Sequence, residues 1–365
     1  MTPSPLPSSL HPLIERVRDN CRLASAGQAG LYSLCGVLLR LRQLYKWGHQ
    51  LAPWQEPEPG QVLAWVESEE SLWDSLEGLS FQPLPLGGTE LDPFQVAEVN
   101  QALFPQDLAY GAGYTRNLAP TFFLGRLTDV RHVEELTILV LGPELARDLD
   151  GTPALLQGNL IYARKEALAF YLWDRLSDPV QENNAPLRVA LEAYGLSRPA
   201  LLQDPEAHGA QLARLLEGEL EAVIHHEIGE AREPSLKMAF PLIMELFPQT
   251  RAELWVRALK DALADVNEFG RLKFIVEAQR VASLGLVLAW RPGLYHLLLP
   301  ELEGAFQQFV DSGDWEGVDR ARRGALTRLR ATARSLSDLM DTLDPAQPTR
   351  TLRELESRYL TPLGI

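Results

Sequence analysis

The sequence predicts a mostly α-helical protein, a multi-helix bundle with a small β-meander insert around residues 107–163. Apolar residues recur at helical spacing in most segments of the 365-residue chain. Between about 107 and 160 the pattern changes to glycine, threonine and β-branched residues with short apolar runs, which is typical of strands and turns. The composition, 46% hydrophobic and 23% charged, excludes a disordered or low-complexity chain.

The first elements are helices. Helical spacing predicts them over residues 11–24 and 28–48, the first through Leu13, Ile14 and Val17. The proline-rich run at 53–59 cannot continue a helix, and a third helix follows from Val62 to Leu76. A short helix is expected at 93–104. The strands of the insert are expected in the apolar runs at 121–124, 136–141 and 155–162.

Helical patterns return near residue 164 and continue to the end of the chain. The predicted segments are 164–177, 205–232, 235–246, 250–268, 270–290, 293–311 and 314–343. Segment 270–290 is apolar on most sides, which predicts the central helix of a bundle. The Asp-Pro and Asn-Asn-Ala-Pro turns near residue 180 suggest domains 1–180 and 181–365, or one continuous domain.

Charge and cysteine content narrow the function classes. The chain has 34 Lys and Arg against 49 Asp and Glu, a net charge of −15, which argues against nucleic-acid binding. The arginines of segment 314–343 are expected to pair with nearby acids. Two cysteines cannot build a disulfide framework or a four-cysteine zinc site. No targeting segment is recognised and Arg291-Pro292-Gly293 interrupts the most apolar stretch, so we expect a cytoplasmic protein without membrane contact.

The helix at 205–232 carries the most informative pattern. A helical projection places Glu227 in the middle of an apolar face, with His226 and Glu230 at its borders and His225 pointing away. An ionised carboxylate directed at a core is costly unless it is paired or bound to a metal. A buried carboxylate at this position must therefore be protonated, ion-paired or metal-bound.

The spacing His226-Glu227-x-x-Glu230 is similar to the zinc-protease helix His-Glu-x-x-His, in which the two outer residues hold a metal and the inner glutamate activates water. Here a glutamate stands at the second ligand position, which departs from that motif. Di-iron and di-manganese bundles use Glu-x-x-His, a spacing that is absent from this sequence. The sequence therefore identifies no family.

From these residues the leading expectation is a metal-dependent enzyme, with a hydrolase favoured over oxygen chemistry. His226, Glu230 and the downstream His296 would bind a divalent metal (Zn, Fe or Mn), and Glu227 would act as the catalytic base on a small-molecule or peptide substrate. The alternative is a non-catalytic helical scaffold or binding module. In that case the same residues form a buried salt-bridge network.

A second carboxylate lies on a predicted apolar face. Glu69 is at the centre of the stripe of the third helix, and Arg42 occupies an inward position of the second helix. A guanidinium fits a carboxylate bidentately. We therefore expect Arg42 and Glu69 to form a structural buried pair.

Overall fold

The computed structural model describes residues 7–115, 119–290, 293–342 and 347–365. The chain divides into two compact units, Met1–Asp174 and Arg175–Ile365, which are described separately. Helix accounts for 64% and strand for 14%, so the mostly α-helical prediction is confirmed.

The first unit combines helices with a sheet. Its helices are α1 (His11–Ala29), α2 (Leu34–Gly48), α3 (Pro59–Leu76), α4 (Val96–Leu103) and, reaching beyond the unit boundary, α5 (Lys165–Ser177). Its strands are β1 (Leu84–Leu86), β2 (Thr89–Leu91), β3 (Leu108–Tyr114), β4 (Pro120–Val133), β5 (Leu136–Arg147), β6 (Ala154–Gln157) and β7 (Leu160–Arg164).

The five strands from β3 to β7 form a curled sheet in the order β3-β4-β5-β7-β6. Strands β3, β4 and β5 are successive antiparallel neighbours, as in a meander. Strand β7 then runs parallel to β5 and lies between β5 and β6, so the sheet as a whole is not a simple meander.

Helix α1 covers one side of this sheet. Its residues Leu13, Val17 and Cys21 are buried in a core that includes Tyr110 of β3 and Phe122 of β4. The Cys21 Sγ–H donates to the Phe122 carbonyl at 3.2 Å. The apolar spacing that predicts the helix is therefore the face that packs on the sheet.

The second unit is helical throughout the residues described. Its helices are α6 (Ala185–Glu192), α7 (Arg198–Gln203), α8 (Gly209–Arg232), α9 (Ala239–Leu246), α10 (Arg251–Val266), α11 (Arg271–Glu277), α12 (Val281–Ala289), α13 (Tyr295–Leu298), α14 (Pro300–Ser312), α15 (Trp315–Asp341) and α16 (Pro348–Leu355). One apolar core connects α10, α14 and α15, with Trp255, Leu302 and Leu329 fully or almost fully buried.

The prediction of one continuous helix at 270–290 is wrong. The structure has α11 and α12 instead, separated by a turn in which Gln279 has a left-handed φ of 49°. Segment 293–311 is likewise divided, into α13 and α14, with Pro300 at the start of α14. Among the described residues, no helix combines the length and hydropathy needed to cross a bilayer.

Candidate metal centre

The predicted site helix, α8, lies unusually close to the end of α10. A Cβ built on Gly229 would lie 2.0 Å from the carbonyl oxygen of Ala264, so only glycine fits there. Asn267 fixes the same approach, because its side-chain amide donates to the Gly229 carbonyl at 2.7 Å. This contact brings His226 and Glu230 next to the acidic residues of α10.

Asp265 is the centre of a buried polar network. Its side chain has no exposed surface, and its Oδ1 accepts a hydrogen bond from His226 Nδ1 at 2.7 Å. Its Oδ2 accepts from the guanidinium of Arg271 and from the hydroxyl of Tyr295. Three residues, from α8, α11 and α13, therefore converge on one carboxylate of α10.

This network changes the acidity of its members. Burial alone would lower the pKa of His226, but the charge and hydrogen bond of Asp265 raise it from 6.5 to about 9. Burial opposes ionisation of Asp265, yet Arg271 and His226 hold its pKa well below the usual range. In the metal-free protein His226 is therefore an imidazolium at neutral pH, paired with an ionised Asp265.

Three potential ligands lie together beside this network. One ring nitrogen of His226 and one carboxylate oxygen from each of Glu230 and Asp261 lie within 4.8 Å of one another. Glu230 also forms an ion pair with Lys260. The side chains of His226 and Glu230 retain 21% and 23% exposure, so solvent reaches the group.

Glu227 is buried, as its helical position predicts. Burial raises the pKa of its carboxyl from 4.5 to about 7, with His226 lowering it and Glu230 raising it. This carboxyl is therefore harder to ionise than an exposed glutamate. A carboxyl poised in this way can take up or give back a proton.

The other two histidines considered lie elsewhere. His296, the predicted third ligand, is exposed, and its Nδ1 lies 2.9 Å from the Gly293 carbonyl. The preceding residue, Tyr295, is buried on α13. His225 stacks on Phe274 with ring centroids 4.1 Å apart, so it packs against α11 rather than pointing to open solvent. The structure therefore brings together His226, Glu227 and Glu230 without His296.

Arg42 and Glu69 do not form the expected pair. Arg42 forms an ion pair with Glu56, from the loop that follows α2. The buried face of α2 runs through Leu41, Tyr45 and Lys46, and Lys46 Nζ donates to Glu56 at 2.9 Å. Glu69 is half-buried, and burial raises its pKa, with Arg22 as the opposing cation.

Sequence reasoning missed the residues that α10 and α11 contribute, above all Asp261 and Asp265. A signal was present, because the two acids are four residues apart and Asp265 lies within the buried run Ala262–Val266. Arg271 and Tyr295 carried no comparable signal. Arg271 and Tyr295 reach Asp265 only because α11 and α13 fold back against α10.

Comparison with known proteins gives a family without an assigned activity. The N-terminal domain model of a family of unknown function (DUF6866) matches residues 12–164, and the C-terminal domain model of the same family matches residues 169–358. No curated protein and no solved structure matched the chain. The two domain models together span most of the sequence, and the chain therefore belongs to the DUF6866 family.

Proposed function

We propose that the second unit carries a divalent-metal site and that the protein is a metal-dependent hydrolase. The observation that carries the proposal is the group formed by His226, Glu230 and Asp261, whose ligand atoms lie within 4.8 Å of one another. Asp261 takes the place that the sequence assigned to His296. Imidazole and carboxylate ligands suit Zn, Fe or Mn.

The surroundings of His226 support this proposal. A metal-binding histidine commonly donates its second ring N–H to a carboxylate, which fixes the ring and strengthens the ligand. The Nδ1–H of His226 donates to Asp265 in this way, at 2.7 Å. Nε2 would then be the nitrogen that binds the metal, after the proton that the imidazolium carries there has been released to solvent.

The three ligands fit a metal after a small adjustment. Ligand atoms about 2.0–2.2 Å from a tetrahedral zinc are roughly 3.4 Å apart, so the group must contract. Glu230 must also release Lys260. The side chain of Lys260 is 31% exposed and its Nζ lies 4.8 Å from the centroid of the Phe240 ring, so water can solvate its charge.

In this proposal Glu227 is the general base. A bound divalent metal acidifies water and polarises a carbonyl or phosphoryl oxygen. Glu227 lies between His226 and Glu230 in the sequence and is buried beside both. Its carboxylate would accept the proton of the attacking water and return it to the leaving group.

A second candidate has its own support. His226, Glu230 and Asp265 all have protein partners already, so the same residues can act as a buried salt-bridge network of a scaffold. In that case the cluster binds α8 to α10 and no metal is needed. The two candidate functions therefore make different predictions: only the hydrolase should bind a metal at these residues and become active when it is loaded.

The test compares Glu227→Gln with the wild type after loading with Zn²⁺ or Mn²⁺. Glu227→Gln should retain the metal but lose at least about 100-fold in hydrolysis of a quenched-fluorescence peptide library or of p-nitrophenyl esters, because general-base catalysis contributes that much. His225→Ala is the matched control, since it changes the neighbouring histidine and should retain both properties. Full hydrolysis by Glu227→Gln, or none by the loaded wild type, would reject the hydrolase proposal.

A further inference from the structure

The first unit contains a cavity of about 920 Å³ that plays no part in the proposed metal site. Residues of α1, α2, α3, β5 and α5 line it, together with the loop at 50–55. Its volume is in the range of pockets that hold small organic ligands, roughly 300–1,000 Å³.

Much of the wall is aromatic or aliphatic. Trp47, Trp65 and Phe170 line the cavity together with Leu44 and Leu51. Aromatic walls of this kind favour a flat apolar ligand body, because ring faces and edges pack closely on one another. The apolar residues alone do not specify a ligand. The class of ligand must therefore be inferred from the polar groups that line the cavity.

Arg147 is the decisive polar group. Its side chain is 2% exposed, and its Nε and Nη1 donate no hydrogen bond to the described protein. Glu144 Oε2 lies 3.6 Å from Nη1, which is an ion-pair contact but is beyond hydrogen-bond distance. A buried guanidinium with free donors is costly, and a ligand oxygen would satisfy them.

The protein holds this guanidinium in place without satisfying it. The Arg147 guanidinium carbon lies 5.9 Å from the Trp47 ring centroid and 5.6 Å from that of Phe170. A Cβ on Gly151 would lie 2.4 Å from Nη2, so glycine makes room for the group. Arg147 is thus held between the two aromatic rings that also line the cavity.

The carboxylates of Glu144 and Glu166 line the cavity and each accepts a hydrogen bond, although Glu144 Oε2 has no hydrogen-bond partner among the described residues. Glu144 Oε1 accepts from Arg164 Nε, and Glu166 Oε2 accepts from the backbone N–H of Glu144 at 2.8 Å. Two buried guanidiniums, those of Arg147 and Arg164, therefore share Glu144. The Nε of Arg147 remains a donor that no carboxylate reaches in the part of the chain that the structure describes.

We propose that this cavity binds a small organic anion with a flat apolar body. An acidic oxygen of the ligand, from a carboxylate, sulfonate or phosphate, accepts hydrogen bonds from Arg147, and the apolar body packs against Trp47, Trp65 and Phe170. Arg18 and Arg22 line the same cavity with side chains that are 43% and 48% exposed, and they form ion pairs with Glu15 and Asp19 of the same helix.

The test uses two fluorescent probes of the same shape on the full chain. 1-Anilinonaphthalene-8-sulfonate is anionic, and N-phenyl-1-naphthylamine is its neutral counterpart. The wild type should bind the anionic probe at least about tenfold more tightly, a difference that Arg147→Met removes. Arg188→Gln is the matched control, because it removes one surface arginine of the other unit and should leave both affinities unchanged. Displacement by 2-naphthoate or by 2-naphthyl phosphate distinguishes a carboxylate from a phosphate ligand.

Because the anionic probe also binds partly unfolded chains, near-ultraviolet circular dichroism must first show that each variant is folded. Ala169→Phe retains Arg147 but fills part of the cavity, so it should weaken both probes. If Arg147→Met does not fold, the wild-type preference for the anionic probe and its loss in Ala169→Phe decide the question. Equal affinity of the wild type for the two probes, or unchanged anionic-probe affinity in folded Arg147→Met or in Ala169→Phe, would overturn the proposal.

Discussion

At the scale of single residues, the position of Glu227 followed from helical periodicity, whereas its surroundings did not. The apolar face of α8 is encoded within one segment of the sequence, so the sequence alone identifies a buried carboxylate there. Asp261 and Asp265 lie on another helix, and nothing in the sequence fixes which face of α10 meets α8. The partners of a buried charge therefore required the structure.

The imidazolium of His226 should make the metal-free protein sensitive to alkaline pH. Its pKa is raised from 6.5 to about 9, so its stabilisation is fully present below about pH 6.5 and is lost as the pH rises through about 9. The full effect is on the order of 3 kcal/mol. Urea unfolding with a chelator present should show His226→Gln less stable than the wild type at about pH 6 and closer to it at about pH 9.5. An equal difference at the two pH values would contradict the His226–Asp265 ion pair.

The corrected pairing of Arg42 can be tested by double-mutant cycles. Arg42 and Glu69 should show no coupling beyond about 0.3–0.5 kcal/mol, the usual limit for independent sites. Arg42 and Glu56 are partly exposed, so their coupling should be measurable but at most about 1 kcal/mol. Free energies of unfolding of the single and double variants check both values. Strong coupling of Arg42 with Glu69 would restore the original pairing.

At the scale of elements, the differences from the sequence prediction lie at two turns. One belongs to the β1–β2 hairpin, which was not predicted, and the other divides the segment that was predicted as one helix at 270–290. The β1–β2 hairpin turns at Gly87-Gly88, which have φ values of 59° and 85°, and a Gly-Gly turn is a recognised hairpin signal that the sequence analysis overlooked. The break between α11 and α12 has no such signal. Gln279 adopts its left-handed φ without glycine, so continuous apolar spacing concealed the turn.

The close approach of α8 to α10 should depend on Gly229. A methyl group there would lie 2.0 Å from the backbone oxygen of Ala264, which cannot move without shifting α10. Gly229→Ala should therefore lower the free energy of unfolding by at least about 1–3 kcal/mol, the usual cost of overpacking. The substitution should also weaken metal binding, because the added methyl group would separate α8 from α10 and the three ligands lie on these two helices.

Gly324→Ala is the matched control for this substitution. Gly324 lies within α15, and a Cβ there has no neighbour within 4 Å. Alanine should therefore stabilise the protein by up to about 1 kcal/mol through helix propensity. Urea unfolding of both variants measures the contrast. A loss for Gly229→Ala no larger than the change for Gly324→Ala would show that the helices do not approach as described.

At the scale of the whole molecule, the protein carries a net negative charge, and ion pairing neutralises much of the positive charge of its arginines. The arginines of α15 form ion pairs with acids, as the sequence analysis expected, and examples are Arg322 with Asp319, Arg328 with Glu301 and Arg330 with Glu268. A basic run in the sequence is thus largely neutralised in the fold. Composition alone could predict this outcome, although the acids that pair with Arg328 and Arg330 come from other segments of the chain.

The protein should accordingly not bind nucleic acid. With a net charge of −15 and ion-paired arginines on α15, few phosphate contacts are available. Fluorescence anisotropy with a labelled duplex and a labelled single strand should show no binding at about 150 mM salt, where the Debye length is only about 8 Å. Micromolar affinity that falls steeply with added salt would contradict this expectation.

The central claim, a metal bound by His226, Glu230 and Asp261, is tested most directly by metal stoichiometry. Chelator-treated protein is reloaded with Zn²⁺, Mn²⁺ or Fe²⁺, freed of excess metal and measured by plasma mass spectrometry. We expect about one tightly held ion per wild-type chain, as for a three-ligand site. His226→Ala and Glu230→Gln should lose it, and His296→Ala should retain it. No metal in the wild type, or equal metal in His226→Ala, would contradict the account and leave the buried salt-bridge network as the function of these residues.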